Sequence, residues 1–88
     1  MPVMRKTDAP IRVLAQYDPD ARVWVADSED VPGLVAEHAN YGTLEDMIAE
    51  LVPLLLVENE LIDDEDEFDV PIEIIAHAET RREARIPA

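Results

Sequence analysis

The side chains of this chain that could do chemistry are few. His38 and His77 are possible general bases or metal ligands, Ser28 a possible nucleophile, and the run Asp63-Asp64-Glu65-Asp66-Glu67 a possible cation site. Imidazoles titrate near neutral pH and bind metals, but neither histidine lies in a setting such as H-E-x-x-H. Ser28 is the only serine, and it lacks the G-x-S-x-G context that presents a nucleophile on a sharp turn. An EF-hand loop needs alternating oxygen ligands with glycine at the sixth position; counted from Asp64, that position is Asp69. Gly33 and Gly42 are the whole glycine supply, which excludes a P-loop and a dinucleotide fingerprint, and the absence of cysteine excludes thiolate metal sites and disulfides. These residues predict no catalytic site, no metal site and no cofactor; the protein is expected not to be an enzyme.

Charge says more about partners. Against 7 basic side chains stand 21 acidic ones, a net −14, so the surface field repels phosphates and anionic membranes and favours a basic protein. The excess is local: residues 1–42 carry 4 basic and 7 acidic groups, residues 43–88 carry 3 and 14. The four aromatics do not interleave with basic residues, so no stacking platform for single-stranded nucleic acid is expected. No apolar run approaches the roughly 20 residues needed to span a bilayer, and no signal-peptide core follows the N-terminal charges. The expected location is the cytoplasm.

Eighty-eight residues suffice for one small core. Residues 1–9 have no clean period and read as a flexible arm. Ile11, Val13, Ala15 and Tyr17 alternate with Arg12 and Gln16, predicting a half-buried strand over residues 11–17. Asp18-Pro19-Asp20-Ala21 is a hairpin loop, and Arg22-Val23-Trp24-Val25-Ala26 returns as a second strand. A Pro-Gly pair then precedes a short third strand, Leu34-Val35-Ala36-Glu37. After a loop over residues 38–42, Thr43 is the predicted N-cap, with Glu45 and Asp46 in the first turn. Leu44, Met47, Ile48, Leu51, Val52 and Leu55 form an apolar stripe at helical spacing, which Pro53 should kink or break before the helix finishes near Asn59. Residues 58–69 hold eight acidic side chains of twelve, a solvated connector expected to be partly disordered. Val70, Ile72, Ile74, Ala76 and Ala78 predict a fourth strand of about nine residues, with Pro71 at its start or on an edge. The domain is placed at residues 10–80, with a flexible tail over 81–88.

The stretch YDPDARVWVADSEDVPGLVAEHANYGTLEDM, Tyr17 to Met47, resembles the HicB-like antitoxin domain. That pattern runs strand, acidic turn, a strand like VWVA, an acidic turn ending V-P-G-L, then a small-Thr-x-x-acidic helix start. The resemblance covers residues 11–59 and is closest to short stand-alone relatives of unknown function, in which a Pro-containing helix like LVPLLLVEN follows. It implies an α+β fold, β-β-β-α-β, of partial ribonuclease-H-like type: a three-stranded antiparallel sheet plus a fourth strand, with one Pro-kinked helix on one face. It also implies docking on a HicA-type toxin, a small basic protein that cleaves messenger RNA. Ribonuclease H catalysis starts from a carboxylate on the first strand, and residues 11–17 have none. Complete HicB proteins carry a C-terminal DNA-binding segment for which residues 80–88 are too short, so operator binding is not expected.

The leading expectation is a non-catalytic, antitoxin-like module that binds a basic partner through Trp24, Asp27, Glu29, Asp30, Val31 and Leu34. Trp24 has two readings, an interface anchor or the large residue filling the core under the helix. The alternative is a homo-oligomeric structural or accessory domain, a homo-dimer for example, pairing through a sheet edge or the surface of residues 54–57.

Overall fold

The period-2 pattern of the first predicted strand is realised as β1, Ile11–Asp18, in which Ile11, Val13 and Ala15 are buried and Arg12, Leu14 and Gln16 face outward. This computed structural model describes residues 10–61 and 69–87. The arm over residues 1–9 and the order of the acidic connector over 62–68 are expectations that lie outside the described residues, as does Ala88. Among the described residues there are three further strands and one helix: β2 (Val23–Asp27), β3 (Val35–His38), α1 (Tyr41–Glu58) and β4 (Ile72–His77). The result is the α+β domain expected, β-β-β-α-β.

The sheet order is β3-β2-β1-β4; β1–β2 and β2–β3 are antiparallel, and β4 lies parallel to β1 on the outer edge. β4 reaches that edge because the connection through α1 carries the chain past β2 and β1, as parallel neighbours require. Two turns set the meander. In the first, Asp18 Oδ1 accepts from the N–H groups of Asp20 and Ala21, and Arg22, at φ 58°, donates its N–H to the Asp18 carbonyl at 2.7 Å. In the second, Leu34 N–H donates to the Val31 carbonyl at 3.1 Å around Pro32-Gly33, with Gly33 at φ 86°. Proline first and positive φ second make this a type II turn, where a Cβ at Gly33 would be strained.

Four strand registers place a row of alanines, Ala36, Ala26, Ala15 and Ala76, across the sheet's inner face. Ala15, Ala26 and Ala36 are buried and join one core with Leu44, Ile48, Val52 and Leu56 of α1. Small side chains on the sheet let the larger helix residues fill the space between the layers. Ala76 at the β4 end is exposed, so cover from the helix does not extend to that end of the row.

The helix differs from its sequence expectation in two ways. Its N-cap is Asn40, not Thr43: Asn40 Oδ1 accepts from Thr43 N–H at 2.9 Å and from Thr43 Oγ1 at 3.2 Å. Gly42 and Thr43 therefore lie inside the first turn, and Glu45 and Asp46 fall beyond it. Of the two outcomes expected at Pro53, a kink or a break, the break does not occur: α1 runs unbroken from Tyr41 to Glu58. Pro53 and Ala49, the residue whose carbonyl loses a donor, are both exposed, so water can take the missing bond. The helix ends at Asn59, as expected. β4 has six residues rather than about nine, and β3 starts one residue later than predicted, since Leu34 is taken up in the type II turn. Among the described residues, no helix is long and apolar enough to cross a membrane.

Candidate protein-binding surface

Opposite the helix, the sheet presents an open face. The registers align Val35, Asp27, Leu14 and Ile75 in one row across all four strands, and Glu37, Val25, Gln16 and His77 in the next. Alternation sends these side chains away from the core. Leu14 and Ile75 are adjacent and 39% and 38% exposed, and Val35 is 72% exposed; Val23 and Val25 on the same face are half-buried. Around this apolar centre stand the carboxylates of Asp27, Glu29, Glu37 and Glu73, all exposed.

The acidic turn after β2 is fastened to β1 by side chains. Beyond Asp27, β2 no longer pairs with β1, and Arg12 would lack partners on that side. Ser28 Oγ donates to the Arg12 carbonyl at 2.6 Å, and Asp30 Oδ2 accepts the Arg12 N–H at 2.9 Å. Ser28 Oγ also accepts from the Asp30 N–H at 3.1 Å. Side chains thus continue the ladder where backbone stops, satisfying a donor and an acceptor. Between this turn and the sheet lies an open hollow of about 440 Å³, bordered by Arg12, Leu14, Ile75, Asp27, Ser28 and Asp30. Arg12 Nε lies 3.5 Å from Glu73 Oε1, an exposed pair across β1 and β4. The hollow thus has an apolar floor and an acidic rim, which suits a lysine or arginine side chain with its apolar stem and charged head.

The six residues expected to bind a partner divide into three groups. Asp27 and Glu29 are exposed on the rim, and Asp30 is half-buried there, tied to Arg12. Val31 and Leu34 are core side chains, 0% and 2% exposed, so they offer no contact surface and instead anchor the turn from beneath. Trp24 is half-buried on the helix side, against the core. Its ring lies between Tyr17, with centroids 5.3 Å apart, and Tyr41 at 4.9 Å in an edge arrangement. It therefore sits on the face opposite the hollow. Burial, and secondarily the Glu45 carboxylate, raise the Tyr41 phenol above its usual 10.0.

Both histidines have local roles. His38 Nδ1 accepts the Asn40 N–H at 2.9 Å, shaping the approach to the helix, and His77 Nε2 is 3.9 Å from Glu79 with both side chains exposed. Among the described residues, no three histidine or acidic side chains converge as a metal site would require.

The family described as Domain of unknown function (DUF1902) matches residues 10–85. The chain belongs to that family. This DUF1902 domain is also similar to the crystal structure of the hypothetical protein TTHA1013 from the extremely thermophilic bacterium Thermus thermophilus. The two share 38% sequence identity and a TM-score of 0.61, over 86% of this chain and 99% of that one. No curated protein matches.

Several surface residues escaped sequence reasoning. Leu14 and Ile75 sit in strand positions assigned to the outer face, where apolar character was not weighed. Ser28 stood out only as a failed nucleophile, although its role is structural. Asn59 marks the helix end, but its side chain does more: Nδ2 donates to the Pro32 carbonyl at 3.0 Å and to the Leu55 carbonyl at 2.8 Å, tying the DUF1902 helix to the type II turn.

Proposed function

We propose that this DUF1902 protein is a non-catalytic protein-binding module of the HicB-like antitoxin type, whose partner is a small basic protein such as a HicA-type messenger-RNA-cleaving toxin. The observation that carries this reading is the open sheet face, where Leu14, Ile75 and Val25 form an apolar centre ringed by carboxylates. An apolar core with a charged rim is the usual anatomy of a protein interface, and an acidic rim selects a basic partner and speeds its approach. The resemblance of residues 11–59 to HicB-like domains supports the same reading, as does the net charge of −14. Relative to the sequence expectation, the contact surface moves: Asp27, Glu29 and Asp30 remain, Leu14 and Ile75 join them, and Trp24, Val31 and Leu34 support the fold behind.

The test is co-expression with the HicA-type toxin of the same host. Association of the purified chains, and relief of toxin-induced growth arrest, are expected for the wild type and lost in the double variant Asp27→Lys, Glu29→Lys. No association at micromolar concentration together with undiminished arrest would refute the proposal.

A further inference from the structure

Among the described residues, β4 is an uncovered edge whose only neighbour is β1, and the parallel register, with Ile11 N–H donating to the Pro71 carbonyl at 2.8 Å, turns the backbone groups of Glu73, Ile75 and His77 inward. The N–H and C=O groups of Ile72, Ile74 and Ala76 consequently point outward. Of the usual devices that blunt an edge, residues 72–77 contain neither proline nor lysine, and their one carboxylate, Glu73, is paired with Arg12 on β1. Pro71 does not protect the edge, because its carbonyl faces β1. Parallel strands are normally covered on both sides, yet Ile75 is 38% exposed and Ala76 is exposed.

Past β4 the chain continues without helix or strand through residues 78–87, exposed at every position, with Ile86 at 89%. Arg81, Arg82 and Arg85 face only Glu79 and Glu83 over residues 78–88, a net +1. The preceding 77 residues hold four basic and nineteen acidic side chains. A basic arm thus leaves an acidic body beside an open edge, and a second copy supplies both an edge to pair with and an acidic body for the arm.

We propose that two copies of this chain join β4 to β4 in antiparallel fashion, making one continuous eight-stranded sheet, with each arm reaching across the other copy. Among the registers that pair three or more residues of β4 with β4 of the second copy, charge selects one. Pairing centred on Glu73 opposes Glu73 to itself; centred on Ile74 it opposes Asp69 to Glu79, and centred on Ala76 it opposes Glu73 to Glu79. Directly opposed like charges destabilise a strand pair. Centred on Ile75, it sets Glu73 against His77 and Asp69 against Arg81 of the second copy, and the outward groups of Ile74 meet those of Ala76. The Ile75 side chains of the two copies then meet on the open face, joining the two Leu14–Ile75 patches. The interface is isologous, as a two-fold dimer requires.

This inference does not depend on any toxin, and its test involves only this chain. The sequence has no cysteine, so single introduced thiols report proximity cleanly. Directly opposed residues in a non-hydrogen-bonded antiparallel pair have Cα atoms about 4.5 Å apart, within disulfide reach. Light scattering of the full chain should give about twice the 9.9 kDa of one copy. Mild oxidation should cross-link Ile75→Cys nearly completely, and Val35→Cys, on the opposite edge strand, should stay uncross-linked. Ala76→Pro, which removes an outward N–H at an exposed position, should yield a folded monomer by circular dichroism. Removing residues 81–88 should weaken dimerisation at least tenfold. A wild-type chain that stays monomeric at millimolar concentration, or a dimer that cross-links through Val35→Cys and not Ile75→Cys, would overturn the proposal.

Discussion

Asn40 and Tyr41 show how single residues hold the start of the helix. Asn40 Oδ1 accepts from both the N–H and the hydroxyl of Thr43, so Asn40→Ala should lower stability by about 1 kcal/mol. Urea denaturation should show this as a lower midpoint with an unchanged slope. The sequence did not disclose this cap, because Tyr41-Gly42 reads as loop and Thr43 is itself a good capping residue. Tyr41 adds a pH dependence. Its phenol is raised by burial and by Glu45, so the folded chain keeps the phenolic proton to higher pH than the unfolded chain does. The stability linked to Tyr41 is fully present below about pH 10 and is lost as pH rises through the higher folded value. Melting temperatures measured from pH 8 upward should fall less steeply for Tyr41→Phe than for the wild type.

Among the elements, the helix carries an untaken gain in stability. Pro53 is exposed within an unbroken helix, and alanine there restores a hydrogen bond to Ala49 and removes the ring. Pro53→Ala should raise stability by about 2 kcal/mol, less than the full helix penalty because proline also restricts the unfolded chain. An unchanged or lower melting temperature would mean that the ring contributes packing of its own. Strands and helix were legible in the sequence because alternation and three-four spacing follow directly from which faces are buried, as Ile11-Val13-Ala15 and Leu44-Ile48-Val52 show. Strand order was not legible. The parallel placement of β4 depends on how the chain crosses the sheet after Glu58, and no local pattern encodes that path. The ties from Ser28 and Asp30 to Arg12, and from Asn59 to Pro32, span 16 to 27 residues, so no motif announces them.

At the scale of the whole molecule, the charge of −14 was plain in the sequence, but its arrangement around the apolar centre formed by Leu14 and Ile75 was not. The rim of the proposed partner surface carries the exposed carboxylates of Asp27, Glu29, Glu37 and Glu73, and exposed charges are screened within about 10 Å at 0.1 M salt. Association with a basic partner should therefore slow markedly between about 0.05 and 0.5 M sodium chloride, while dissociation changes little. Stopped-flow or surface plasmon measurements separate the two rates. A salt-insensitive association rate would place the partner away from the acidic rim.

The bonds from Ser28 and Asp30 to the Arg12 backbone bear on how any partner is received. A free surface loop must give up conformational freedom when it binds, and that loss subtracts from affinity. Here the loop has already given it up during folding, held from above by the Arg12 ladder and from beneath by Val31 and Leu34. Recognition at the rim is consequently closer to the docking of a rigid template than to the ordering of a segment. Its cost was met once, when the chain folded.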